Sequence, residues 1–108
     1  MHLFTIRSRR NPRSKGAAKY GDVGGAYVNC YIQFKDYGAA EKLARLLIRE
    51  SGWIPAKRTV ASVVRKGDVK TKKETQYYSE ALKCGYTLVF RLWPKDAEDA
   101  NVDYEAEV

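Results

Sequence analysis

The chain has 108 residues, of which 44% are hydrophobic and 31% are charged, and this composition is typical of one globular domain rather than a disordered chain. No stretch approaches the roughly 20 apolar residues of a membrane span, and the first residues lack the pattern of a secretory signal, so a cytoplasmic location is expected. With two cysteines and one histidine the chain has no zinc-binding pattern, and we expect no metal and no other cofactor.

Charge is distributed unevenly along the chain. The net charge is +7, yet residues 1–20 contain six bases and no acid, whereas residues 96–108 contain six acids and no base. A basic body attracts polyanions, and an acidic tail can compete for the same surface. We expect one domain over residues 1–95 and a disordered acidic tail over residues 96–108.

Two strands separated by a long basic loop are predicted first. Residues 3–7 read as a short strand, residues 8–25 as the basic loop, and residues 26–34 as a strand that alternates apolar and polar side chains. Because side chains alternate along a strand, Tyr27 and Tyr31 are expected on the face opposite the core.

Two helices follow, each with recognisable end signals. Asp36 is suited to cap the start of the first helix, and Gly52 to adopt the left-handed conformation after its end. The pair Thr71 and Glu74 has the spacing of a capping box, and Gly85 follows the second helix.

Two further strands are predicted over residues 54–66, with a bulge near residues 61–62, and over residues 86–93. The element order is then β-β-α-β-α-β. Right-handed crossovers would place both helices on one face of the sheet. The predicted fold is therefore α+β, a two-layer sandwich of the ferredoxin-like class with a mixed sheet of about four strands.

The face of the sheet away from both helices is the predicted interaction face, and it carries Tyr27, Tyr31, Arg91 and Trp93. Exposed aromatic side chains and arginines on a sheet are typical of dimer interfaces and of surfaces that stack unpaired bases. A third interpretation is that loop 8–25 or the acidic tail covers this face.

The basic N-terminal segment carries the candidate phosphate contacts. Neutralisation of phosphates by such residues makes binding salt-sensitive, although runs of this kind are also common in solvated loops. The candidates are Arg7, Arg9, Arg10, Arg13, Lys15 and Lys19.

No nucleophile, base and orienting group can be assembled from the sequence, so we expect no enzymatic activity. Cys30 falls on the apolar face of its strand and reads as a small core residue. Cys84 lies at the end of a helix, where the helix dipole disfavours a thiolate. His2 stands next to the first residue and is not expected to serve as a base.

A family resemblance accompanies these patterns. The segments AYVNCY at 26–31, GW at 52–53, YY at 77–78 and FRLWP at 90–94 resemble those of a group of small bacterial α+β proteins that are largely uncharacterised. The resemblance covers about residues 26–94 and implies no activity or cofactor.

Two functions are compatible with these observations. The first is a small cytoplasmic, non-enzymatic interaction or regulatory domain that forms a homodimer through the aromatic and arginine side chains of the sheet. The alternative is a nucleic-acid-binding module that uses the basic N-terminal segment and the exposed aromatic side chains.

Overall fold

A computed structural model describes residues 1–11, 13, 23–94 and 104–107. They form one five-stranded sheet with strand order β3-β1-β2-β4-β5, in which every neighbouring pair is antiparallel. The α+β class is confirmed, but the sheet is antiparallel where a mixed sheet was predicted. The elements are β1 (His2–Arg10), β2 (Val23–Ile32), α1 (Tyr37–Glu50), β3 (Trp53–Val63), α2 (Lys72–Cys84), β4 (Tyr86–Pro94) and β5 (Tyr104–Glu107).

The helix ends follow the local signals in the sequence. The Asp36 carboxylate accepts a hydrogen bond from the backbone N–H of Ala39 at 2.8 Å, which caps α1. The Thr71 hydroxyl accepts one from the backbone N–H of Glu74 at 3.0 Å, which caps α2. Gly52 and Gly85 have φ angles of 90° and 95°, the left-handed region that favours glycine after a helix.

The two helices pack against opposite faces of the sheet. Ala40, Ala44 and Ile48 of α1 share one buried cluster with even-numbered side chains of β1, β2 and β4. Tyr77 and Ala81 of α2 share a second cluster with Tyr31 and Val89, which are odd-numbered positions of β2 and β4. Because side chains alternate along a strand, the clusters lie on the two sides of the sheet, named here the α1 side and the α2 side.

The prediction that both helices lie on one face is wrong because the crossover rule governs only connections between parallel strands. Helix α1 joins β2 and β3, which are parallel to each other because both are antiparallel to the intervening β1. Helix α2 joins β3 and β4, which run antiparallel, so its side is not fixed by that rule. The two-layer, ferredoxin-like arrangement is therefore not confirmed.

Strand bounds also differ from those predicted. Strands β1 and β2 extend into residues 8–10 and 23–25 of the predicted loop, and the register shifts between β1 and β3 lie opposite residues 55–60 instead of 61–62. Residues 104–107 of the predicted disordered tail form β5 on the edge of β4. The remainder of the predicted tail, residues 96–103 and 108, lies outside the described residues.

Candidate functional site

The predicted interaction face lies on the α2 side of the sheet, and its expected exposure is wrong for two of its four residues. Tyr31 is 6% exposed and Trp93 is 5% exposed. Helix α2 accounts for the burial of Tyr31, because the ring of Tyr77 lies 5.9 Å from its ring. A buried hydrogen bond from the Thr87 hydroxyl to the Tyr77 carbonyl, 2.9 Å long, attaches the helix to β4.

Trp93 is held in a separate packing arrangement at the other end of β4. Its ring lies 5.1 Å from the ring of Tyr27, and the guanidinium carbon of Arg7 lies 5.3 Å from its centroid. A Cβ atom added to Gly25 would lie 2.3 Å from the indole, so a side chain at position 25 would collide with the ring. Gly25 lies within β2, and its lack of a side chain makes room for the ring of Trp93.

Of the predicted face, Tyr27 is half-buried and Arg91 is exposed. The four residues do lie on one side of the sheet, as alternation predicted, with Tyr27 directly opposite Arg91 in the register of β2 and β4. They do not form one open aromatic surface. The stacking and dimerisation interpretations both depended on such a surface.

The basic N-terminal segment contributes three arginines to one surface hollow. A cavity of about 430 Å³ is lined by Arg9, Arg10, Asn11, Arg13 and Ile54, and we name it the arginine hollow. No acidic side chain is among these residues. The described residues of the hollow thus bring together three positive charges and no negative one.

Strand pairing and one loop contact position the arginine hollow. Arg9 pairs with Ile54 where β1 runs beside β3, and the Asn11 N–H donates to the Gly52 carbonyl at 3.1 Å. The Asn11 side-chain oxygen accepts a hydrogen bond from the Arg13 N–H at 3.0 Å. The place of Ile54 in this wall could not be predicted from the sequence, because it depends on the pairing of β3 with β1.

The other candidate phosphate contacts do not join the arginine hollow among the described residues. Arg7 points to the α2 side of the sheet and lies against Trp93. Lys15 and Lys19 lie outside the described residues. The candidate site is therefore formed by Arg9, Arg10 and Arg13.

The two thiols occupy different environments. Cys30 is fully buried in the cluster on the α1 side, and that burial raises the pKa of its thiol, which keeps it protonated. Cys84 is exposed at the end of α2. Over the described ranges, no three His, Cys, Asp or Glu side chains come together in a group that could hold a metal ion.

Neither helix of the described chain has the length and apolar character needed to span a membrane. No family model, curated protein or solved structure matches this chain. The resemblance to small bacterial proteins, the homodimer and the lack of enzymatic activity stay predictions.

Proposed function

We propose that this protein is a non-enzymatic binding domain that contacts the phosphate backbone of nucleic acid through Arg9, Arg10 and Arg13. The observation that carries this proposal is the arginine hollow, where three arginines line one cavity and no acidic residue is among the described residues of its wall. Guanidinium groups are planar and always charged, and they can donate two parallel hydrogen bonds to phosphate oxygens. A hollow with three of them is suited to a polyanion.

The overall charge supports the same class of partner. The chain carries a net charge of +7, and its isoelectric point is near 9.5, which favours attraction of nucleic acid over long range. Backbone contacts position a protein on nucleic acid but do not read its sequence. Since Tyr31 and Trp93 are buried, base stacking by these rings is not part of the proposal, and binding should depend weakly on sequence.

A homodimer through the predicted interaction face receives no support, because α2 covers part of that face. Self-association through another surface is a separate question, which light scattering of the purified chain would answer. The nucleic-acid proposal does not depend on the oligomeric state.

A salt titration with a matched pair of variants tests the proposal. Fluorescence anisotropy of a labelled 12-base-pair duplex measures Kd for the full chain over a series of salt concentrations. Each neutralised phosphate contributes about 0.9 to the slope of log affinity against log salt, so replacing Arg9, Arg10 and Arg13 by Gln should lower its magnitude by up to about 3. The control replaces Lys66, Lys70 and Lys83, which are exposed and lie outside the arginine hollow, by Gln.

The two triple variants have the same net charge, so their comparison separates local contacts from diffuse attraction. A large loss of slope in the arginine variant and a small loss in the lysine variant would support the arginine hollow. Equal losses would show that net charge alone holds the duplex. No detectable binding of the parent chain at low salt would contradict nucleic-acid binding altogether.

A further inference from the structure

Strand β3 forms one edge of the sheet, and most of it is exposed. Among the described strands it pairs only with β1, and residues 56–63 are all exposed. An edge strand presents unpaired backbone N–H and C=O groups to any extended chain that approaches it. The outer edge of β3 is therefore a candidate surface for a further strand.

The first part of β3 is protected against such pairing. Its register with β1 shifts twice, opposite residues 5–8, and Pro55 has no backbone N–H. Arg45 of α1 donates a hydrogen bond to the Ala56 carbonyl at 2.8 Å. Irregular register, proline and covered backbone groups are means by which proteins keep an edge strand from pairing.

The last part of β3 has none of these features. Residues 60–63 pair with β1 in unbroken register, and we name them the open edge. The Val64 N–H donates to the Met1 carbonyl at 2.7 Å, so the backbone of Val64 faces β1. Because the backbone groups of successive residues point to alternate sides of a strand, those of Ala61 and Val63 point away from β1. The open edge thus offers two N–H and two C=O groups that no described strand pairs with.

A cavity of about 700 Å³ borders the open edge on the α1 side of the sheet, and we name it the corner cavity. Val63 and Phe34 in its wall are 61% and 51% exposed, so the described residues leave this apolar surface uncovered. His2 in the same wall is held in place, because its ring lies 5.8 Å from Phe4 and its Nε2 donates to the Lys35 carbonyl at 3.2 Å. The volume lies within the range of about 300–1,000 Å³ of ligand pockets, which is room for a large side chain.

The open edge and the corner cavity together favour an extended peptide. A residue paired with Val63 would lie on the same face of the sheet, with about 4.5–5.5 Å between the two Cβ atoms. Its side chain would stand beside Val63, where the corner cavity opens. In recognition by strand addition, backbone hydrogen bonds provide affinity and side-chain pockets provide specificity.

Basic residues outnumber acidic ones around the open edge. Three carboxylates lie near it, and each has a partner: Glu41 accepts from two arginines, Asp36 from the first turn of α1, and Asp68 from the Arg65 N–H. Within the described part of the chain, Lys57 forms no ion pair. Six bases surround these three acids, namely Lys35, Arg45, Lys57, Arg58, Arg65 and Lys66.

This charge disfavours a second copy of the chain as the occupant. An antiparallel pairing of two copies centred on Ala61 would place Lys57 opposite Arg65, and like charges directly opposite each other destabilise paired strands. We propose that the open edge binds an extended segment of another protein, with an apolar or aromatic side chain in the corner cavity and acidic residues on both sides of it. The corner cavity lies at the opposite end of β1 from the arginine hollow, so this proposal does not depend on nucleic-acid binding.

A synthetic peptide tests the proposal. The probe is a blocked octapeptide with two glutamates at each end and Val-Thr-Phe-Val between them, titrated into the ¹⁵N-labelled full chain. We expect saturable shifts of the Ala61 and Val63 amide resonances and slower hydrogen exchange at both. Two control peptides keep every side chain and charge but carry backbone N-methyl groups at one or the other set of alternate central residues. One control should bind at least tenfold more weakly, and the other should stay within threefold of the probe, because only one set faces β3.

Two alanine variants locate the apolar side chain of the probe. Phe34 and Leu46 are each 51% exposed, but only Phe34 lines the corner cavity. Phe34→Ala should weaken probe binding at least fivefold, and Leu46→Ala should leave Kd within twofold. Val63→Pro removes one outward N–H and should weaken binding at least tenfold. Phe34→Ala keeps the test valid if Val63→Pro does not fold.

Three results would overturn the proposal. The first is the absence of a saturable shift at Ala61 and Val63 with the probe at low millimolar concentration. The second is equal binding by both methylated peptides and equal weakening by both alanine variants, which would indicate diffuse charge attraction. The third is a dimer in light scattering in which the Ala61 and Val63 amides are protected without peptide, which would show that a second copy occupies the open edge.

Discussion

The two sides of the sheet are built from the same strands but are packed differently. On the α1 side, the strand residues facing the helix form a large, closed apolar cluster that includes Phe4, Trp53 and Phe90. On the α2 side, the buried cluster is small and lies beside a cavity with an amide, two cations and a carboxylate in its wall. The comparison indicates that the α1 side supplies most of the stability, while the α2 side leaves polar groups next to accessible space.

The largest predicted difference is between two valines on neighbouring strands. Val28 is 0% exposed on the α1 side, and Val89 is 1% exposed on the α2 side, where it borders a cavity of about 230 Å³ between α2, β2 and β4. We expect Val28→Ala to cost about 2–3 kcal/mol, because a close-packed cluster is left with a void. We expect Val89→Ala to cost about 1 kcal/mol, because side chains next to an existing cavity can relax into it. Urea denaturation of both variants measures their free energies of unfolding. A larger loss of that free energy in Val89→Ala than in Val28→Ala would contradict the greater stability assigned to the α1 side.

A smaller effect is expected where the sheet approaches Trp93 on the α2 side. Gly25→Ala places a methyl group against the indole, so the ring must move, and overpacking of this kind costs about 1–3 kcal/mol. Near-ultraviolet circular dichroism should detect the displaced Trp93 ring, and urea denaturation should measure the lower free energy of unfolding. Gly38→Ala in α1 is the control: its nearest neighbour would be 3.7 Å away, and alanine should stabilise the chain by up to about 1 kcal/mol because it restricts the unfolded state. An unchanged Gly25→Ala variant would show that Trp93 does not pack on that glycine.

The smallest effect concerns an ion-pair network at the edge of the α1 side. Glu41 accepts a hydrogen bond from Arg45 of the same helix at 3.1 Å and one from Arg58 at 2.5 Å, and the second connects α1 to β3. Burial pushes the pKa of the Glu41 carboxyl upward, but the hydrogen bonds from the two arginines outweigh it and hold that pKa below its usual value.

The direction of the pH dependence follows from the lowered pKa of Glu41. The stabilisation is fully present above the unfolded pKa of about 4.3 and is lost as pH falls through the lower folded pKa. Glu41→Gln should lower the free energy of unfolding by up to about 1 kcal/mol at neutral pH, because partly exposed ion pairs contribute modestly. At the acidic end of the range it should change that free energy very little, because the Glu41 carboxyl becomes protonated there. Denaturation of the parent chain and of Glu41→Gln between pH 3 and pH 7 measures the difference in their free energies of unfolding. A difference that stays the same at all pH values would contradict this role of Glu41.

Local features of the fold could be predicted from the sequence because short-range chemistry determines them. Asp36 and Thr71 cap their helices, Gly85 ends α2, and the faces of β2 and β4 follow alternation. The side on which α2 packs could not be predicted, because it depends on β3 lying at the edge beside β1. No local pattern encodes that strand order.

The candidate phosphate site shows the same division between features that are local in the sequence and features that depend on strand pairing. The charge of Arg9, Arg10 and Arg13 is evident in the sequence, but their grouping depends on the pairing of β1 with β3 and on the contact from Asn11 to the loop before β3. Long-range pairing therefore determines the position of the arginine hollow.

Helix α2 packs on one face of the sheet and removes Tyr31 from solvent. The most direct test is a nuclear Overhauser spectrum of the chain with labelled tyrosines. Rings 5.9 Å apart should give cross-peaks between the ring protons of Tyr31 and those of Tyr77. Absence of these cross-peaks in a folded sample, with Tyr31 accessible to a soluble paramagnetic agent, would contradict the account and restore an open aromatic face.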